Sequence, residues 1–75
     1  MEIIKLDNSI KIIAKNSTYL FPMSSIILHY NDVSDTIDIK LNSSKYIMSI
    51  NQKNVTNPSS TDAMDLFEKL QNLIN

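Results

Sequence analysis

No cysteine, glycine, arginine or tryptophan occurs among the 75 residues. Without cysteine there is no disulfide framework, no thiolate zinc site and no thiol nucleophile. Without glycine, the phosphate-cradling loop and the hydrolase nucleophile elbow lose the residue on which their tight turns are built. Any turn that needs a positive φ then falls to asparagine or aspartate, the next most tolerant residues. Without arginine, and with seven lysines against eight acids for a net charge of -1, the chain lacks the basic surface of a dedicated nucleic-acid binder. Long apolar runs are missing too. Nothing approaches the roughly 20 residues of a membrane span. Glu2 stands where a secretory leader carries positive charge, so secretion by a signal peptide is not expected.

What remains is rich in isoleucine (12), serine (10) and asparagine (9), and 43% of the residues are hydrophobic. That is enough for one domain spanning residues 1–75. A domain this small buries only about 60% of its unfolded surface, and such chains often add a disulfide, a metal or a partner subunit. Here association is the natural supplement.

Apolar alternation places strands in Glu2–Asp7, Ile10–Lys15, Thr18–Phe21, Ser25–Tyr30, Thr36–Leu41 and Lys45–Ile50, separated by clusters such as Asp7-Asn8-Ser9 and Asn42-Ser43-Ser44. Thr36–Leu41 alternates most cleanly, with Ile37, Ile39 and Leu41 on one face. Tyr46, Met48 and Ile50 are expected to share a face in the same way. Residues 51–59 are polar and form a connector. From about residue 60 to 74 the period changes: Ala63, Phe67, Leu70 and Ile74, joined by Met64, Leu66 and Leu73, make one helical stripe. Ser59, Ser60 or Thr61 is expected to cap it, with Asp62 and Asp65 at the positive end of its dipole. The pattern predicts an α+β fold: a mainly antiparallel curled β-sheet or small barrel of five to six strands, then one C-terminal α-helix.

Candidate chemistry is sparse. His29 is the single histidine, and no motif places it beside a nucleophile, so a surface or interface strand position is expected. Asp32, Asp35 and Asp38 lie three apart around a loop, without the ligand count or turn glycine of a calcium loop. Lys5, Lys11 and Lys15 would make an oligonucleotide groove only if they shared a face with Tyr19. No catalytic, cofactor or metal residue is assigned.

The surplus of isoleucine is more informative. With Ile4, Leu6, Ile10, Ile12, Ile26, Leu28, Ile37, Ile39, Met48 and Ile50 taken as inward, the opposite parity still carries Ile3, Ile13, Ile27 and Ile47. One short helix covers one face of a sheet, not two. These four isoleucines, with His29, Lys11, Lys15 and Lys45 as rim, are therefore expected at or near a protein–protein contact.

Tyr19-Leu20-Phe21-Pro22, Ser24-Ser25-Ile26, the hairpin that follows, Val55-Thr56-Asn57-Pro58 and the closing amphipathic helix together resemble a group of small proteins of crAss-like and related phages of gut Bacteroidetes. The likeness spans nearly the whole chain, as an order of elements with short motifs. The Ile, Asn and Lys bias of A/T-rich codons fits such a source. The chain departs from the pattern in having no glycine in its hairpin turns. Some small proteins of these phages are virion components, including an auxiliary protein on the capsid shell. The resemblance implies a structural or interaction protein of a phage particle, an auxiliary capsid protein first of all. It would be made in the bacterial host cytoplasm, located in the virion, and partnered by the capsid protein or by copies of itself. No membrane, nucleic acid or small molecule is expected as partner. The alternatives are a small regulatory or host-interaction module of the infected cell and a single-stranded nucleic-acid-binding domain.

Overall fold

The computed structural model describes residues 1–42 and 45–75. Its elements are β1 (Glu2–Lys5), β2 (Ser9–Ile13), β3 (Thr18–Pro22), a 3-10 turn (Met23–Ser25), β4 (Ile26–Asn31), β5 (Thr36–Leu41), β6 (Lys45–Ile50), a second 3-10 turn (Gln52–Asn54) and α1 (Ala63–Ile74). The fold is α+β, with one C-terminal helix. Its six strands do not form one curled sheet. They make two antiparallel three-stranded sheets, β1-β2-β3 and β4-β5-β6, which are not closed into a barrel. Proline has no N–H for a ladder, and β3 ends at Pro22, where the 3-10 turn redirects the chain. That turn is tied to both sheets: Met23 N–H donates to the Asn8 carbonyl at 3.0 Å, and the Ser25 carbonyl accepts from Asn42 N–H at 3.0 Å.

The inner faces of the two sheets share one core. The first sheet contributes Ile3, Ile10, Ile12 and Phe21, the second Ile37, Ile39 and Ile50, and the helix Leu66 and Leu70. Ile12, Ile37, Ile50 and Leu66 are fully buried. A helix of 12 residues, little more than three turns, is marginal alone, and this burial is what holds it.

The helix starts at Ala63, the first residue of its stripe and later than the expected start near residue 60, and its cap is Asp62 instead of Ser59, Ser60 or Thr61. The Asp62 carboxylate accepts from Asp65 N–H at 2.8 Å, and Asp65 reaches back to accept from Thr61 N–H at 2.9 Å. The reciprocal pair satisfies two helix-start donors at once, which no single hydroxyl does. Thr61 N–H first, and Lys69 next, hold the Asp65 carboxyl below the usual aspartate range.

The glycine-free turns are solved as the composition requires. Among the described residues, positive φ falls at Asp35 (φ 55) and Asn42 (φ 34). In the β4–β5 turn the Asn31 side chain accepts from Val33 and Ser34 N–H, and Tyr30 O–H donates to Asp35 at 2.6 Å. That hydrogen bond raises the Tyr30 pKa. Ser43 and Ser44, expected in the next turn, lie outside the described residues.

Candidate functional site

The structure does not gather the four isoleucines into one patch. Ile3 is 3% exposed and lies in the core. It pairs directly with Ile12, which is fully buried, and residues opposite each other in an antiparallel pair share a face. The parity assumed for β1 is thus reversed: Leu6, expected inside, is exposed beside the hairpin turn, and Ile4 is half-buried.

Ile47 also packs against the core, for a different reason. Pairing of β5 with β6 runs Asp38↔Ser49 and Ile39↔Met48, then slips to Lys40↔Tyr46. Ile47 is the extra residue of a β-bulge, and the strand changes faces there. Tyr46 is carried outward, away from Met48 and Ile50. Ile13 lies half-buried on the outer face of the first sheet, and Ile27 is exposed on the outer face of the second. Those faces back onto the same core from different sheets, so one flat contact does not span both. The proposed rim is dispersed likewise: Lys11 shares the outer face of the first sheet with Ile13, whereas Lys15 sits in the turn before β3 and Lys45 begins β6.

The outer face of the second sheet holds the densest polar arrangement. Its register sets His29 opposite Asp38 and Asp38 opposite Ser49, with Ile27 opposite Lys40 and Lys40 opposite Tyr46 in the adjoining row. His29 Nδ1 lies 3.5 Å from Asp38 Oδ2. Ser49 Oγ–H donates to Asp38 Oδ1 at 2.6 Å, and the Tyr46 hydroxyl lies 2.9 Å from Ser49 Oγ. A carboxylate only accepts, so the serine proton goes to Asp38 and the Tyr46 O–H donates to serine. The chain Tyr46→Ser49→Asp38 exists because of the bulge; residues three apart on a regular strand face opposite ways. Asp38 is 8% exposed, the one charged residue among the buried ones described. The Ser49 hydroxyl, and behind it His29 and Asn31, hold its carboxyl below the usual aspartate range against the opposing effect of burial.

This is not the geometry of a Ser-His-Asp triad. There the histidine stands between serine and aspartate and takes the serine proton. Here aspartate stands in the middle, and serine donates to it. The arrangement fixes side chains on a sheet face. The three loop acids are not brought together either: Asp35 serves Tyr30, Asp38 serves Ser49 and His29, and Asp32 is exposed. Among the described residues no group of three potential metal ligands assembles. Lys11 lies opposite Leu20, on the other side of the sheet from Tyr19, whose ring stacks on Phe21 at 5.9 Å. Lys11 therefore does not share a stacking platform with it; of the three lysines only Lys5, opposite Ile10, lies on Tyr19's side within the strands, at the far edge of the sheet.

The His29–Asp38 pair was legible in principle: a four-residue turn at 32–35 sets residue 29 against 38. Nothing in the sequence marks the extra residue that brings Tyr46 to Ser49.

Comparison of the chain with protein-family models, curated proteins and solved structures finds no match. No helix among the described residues is long and apolar enough to cross a membrane.

Proposed function

We propose that the protein is a structural docking component of a phage particle, an auxiliary protein of the capsid shell, and that it meets its protein partner through the outer face of the second sheet. The docking half of this reading is carried by the row Ile27–Lys40–Tyr46. Ile27 is 44% exposed and Tyr46 56%, on a face that neither the helix nor the first sheet covers. An aliphatic residue and a tyrosine around a cation fit the composition of protein interfaces, where aromatic side chains are enriched. The Ser49–Asp38 network holds the Tyr46 hydroxyl, so its ring is presented in one orientation and loses less freedom on docking. Burying Ile27 fully contributes about 1.5–3 kcal/mol at most, less the part already covered. The phage half of the reading rests on the resemblance.

Mass spectrometry of purified particles tests the assignment: many copies per particle are expected, and none sends the chain to the regulatory reading. The double variant Ile27→Lys/Tyr46→Ala tests the face. It should fold, because both side chains point outward, and fail to join particles. Normal incorporation removes this face from the contact. A steep salt dependence of oligonucleotide binding would instead favour a nucleic-acid role.

A further inference from the structure

The open edge of β1 offers a second site, of a different kind, beyond the docking face. Leu6 N–H donates to the Ser9 carbonyl at 2.8 Å, so Leu6, Ile4 and Glu2 turn their peptide groups toward β2. By the same alternation Ile3 and Lys5 turn theirs to the outer edge. Part of that edge is taken. Ile3 N–H donates to the Asn57 carbonyl at 2.7 Å, and Thr56 N–H donates to the Met1 carbonyl at 2.9 Å. Glu2 and Asn57 form a parallel bridge, the beginning of a fourth strand. Pro58 has no N–H to continue it.

Past that point the Ile3 carbonyl and both peptide groups of Lys5 have no partner among the described residues. They border an open groove of about 490 Å³ whose apolar floor includes Ile3, Pro58 and Leu73. Lys5 and Lys69 stand over it, and no carboxylate lines it among the described residues. Lys69 is engaged, 3.1 Å from Asp65 and donating to the Ser59 carbonyl at 2.6 Å. Lys5 has no acidic partner among the described residues.

We propose that this edge takes an extended segment of a protein partner, added as a strand beside β1, with an acidic side chain against Lys5 and an apolar one over Pro58 and Leu73. Strand addition supplies main-chain hydrogen bonds, and the flanking side chains select the segment. A second copy of this chain is a poor occupant. Asn57 already holds Ile3, so two such edges could meet only through Lys5 against Lys5, and like charges directly opposite are destabilising.

The probes are two end-blocked peptides, Thr-Val-Glu-Val-Thr-Val and the same sequence with lysine for glutamate, titrated into the isotope-labelled full chain and followed by amide resonances. The glutamate peptide should shift the Ile3 and Lys5 amides and bind roughly tenfold more tightly than the lysine peptide. Lys5→Glu should invert that preference. Lys5→Pro removes the outward N–H without touching the ladder to β2 and should abolish binding of both peptides. Equal affinities, no binding by either peptide, shifts confined to Ile27 and Tyr46, or full binding by a folded Lys5→Pro chain would each overturn the proposal. If Lys5→Pro disturbs the sheet, the inversion by Lys5→Glu decides.

Discussion

Ser49→Ala removes the hydroxyl that donates to Asp38 at 2.6 Å and leaves the rest of the outer face in place. A hydrogen bond to a charged group contributes about 1.5–3 kcal/mol. The Asp38 side chain keeps 12% of its exposure and its contact with His29, so water and histidine recover part of the loss. The expected destabilisation is about 1–2 kcal/mol near neutral pH, or about 5–10 °C in Tm for a domain of this size. The effect should depend on pH. An unfolded aspartate titrates near about 3.9, and the folded Asp38 carboxyl lies lower. Between those two values the unfolded chain binds more protons, so stability rises with pH. The contribution of Asp38 is complete above about pH 4 and is lost as pH falls through the folded value. Ser49→Ala moves the folded value back toward the unfolded one, so the gap between variant and parent is widest near neutrality and narrows in acid. Thermal melts at about pH 7, 5 and 3 measure it. A gap that stays constant across that range, or no gap at neutrality, refutes the charge-assisted bond.

Three further outcomes are expected. Ile3→Lys should prevent stable folding, since it puts an ammonium into the shared core, whereas Ile13→Lys on the outer face should change stability by less than about 1 kcal/mol; equal effects in chemical denaturation would contradict the strand facing described for β1 and β2. Asp62→Ala should cost about 1 kcal/mol by removing the helix cap, while Ser60→Ala should not weaken the helix through capping; circular dichroism melts separate them. Tyr46→Phe should cost about 0.5–1 kcal/mol, and the loss should vanish in a Ser49→Ala background, because the phenol then has no acceptor; a double-mutant cycle with no coupling breaks the inferred direction of the chain.

Legibility followed local regularity. Thr36–Leu41 alternates apolar and polar residues without interruption, and its boundaries match β5. The helical stripe was equally readable, apart from its first turn, where three candidate hydroxyls precede the aspartate that caps it. β1 was misread because Ile3 and Ile4 are both isoleucine and Leu6 follows in the parity of Ile4. The sequence alone suits either face, and only pairing with Ile12 decides. β6 was misread because a bulge changes parity without a residue signature. Of the candidate interface, Ile27 and His29 lie on the outer face of the second sheet, and Ile13 lies on that of the first. The β1 edge was invisible, since Lys5 and Asn57 are far apart in the chain and meet only in the fold.

The bridge from Glu2 to Asn57 bears on the order in which the molecule comes together. The two sheets are meanders whose pairings are all between neighbours in the chain, and such contacts form early. Joining residue 2 to residue 57 instead closes a loop through nearly the whole molecule, with an entropy cost of about 3–4 kcal/mol. That closure gains its return only when Leu66 and Leu70 seal the core between the sheets. The second sheet therefore needs no distant segment to pair its strands, while Ile3, Ile10 and Ile12 wait for the cover that the second sheet and the helix bring. Assembly thus ends with the first strand held down by Thr56 and Asn57, a segment that reaches it only once the core has closed.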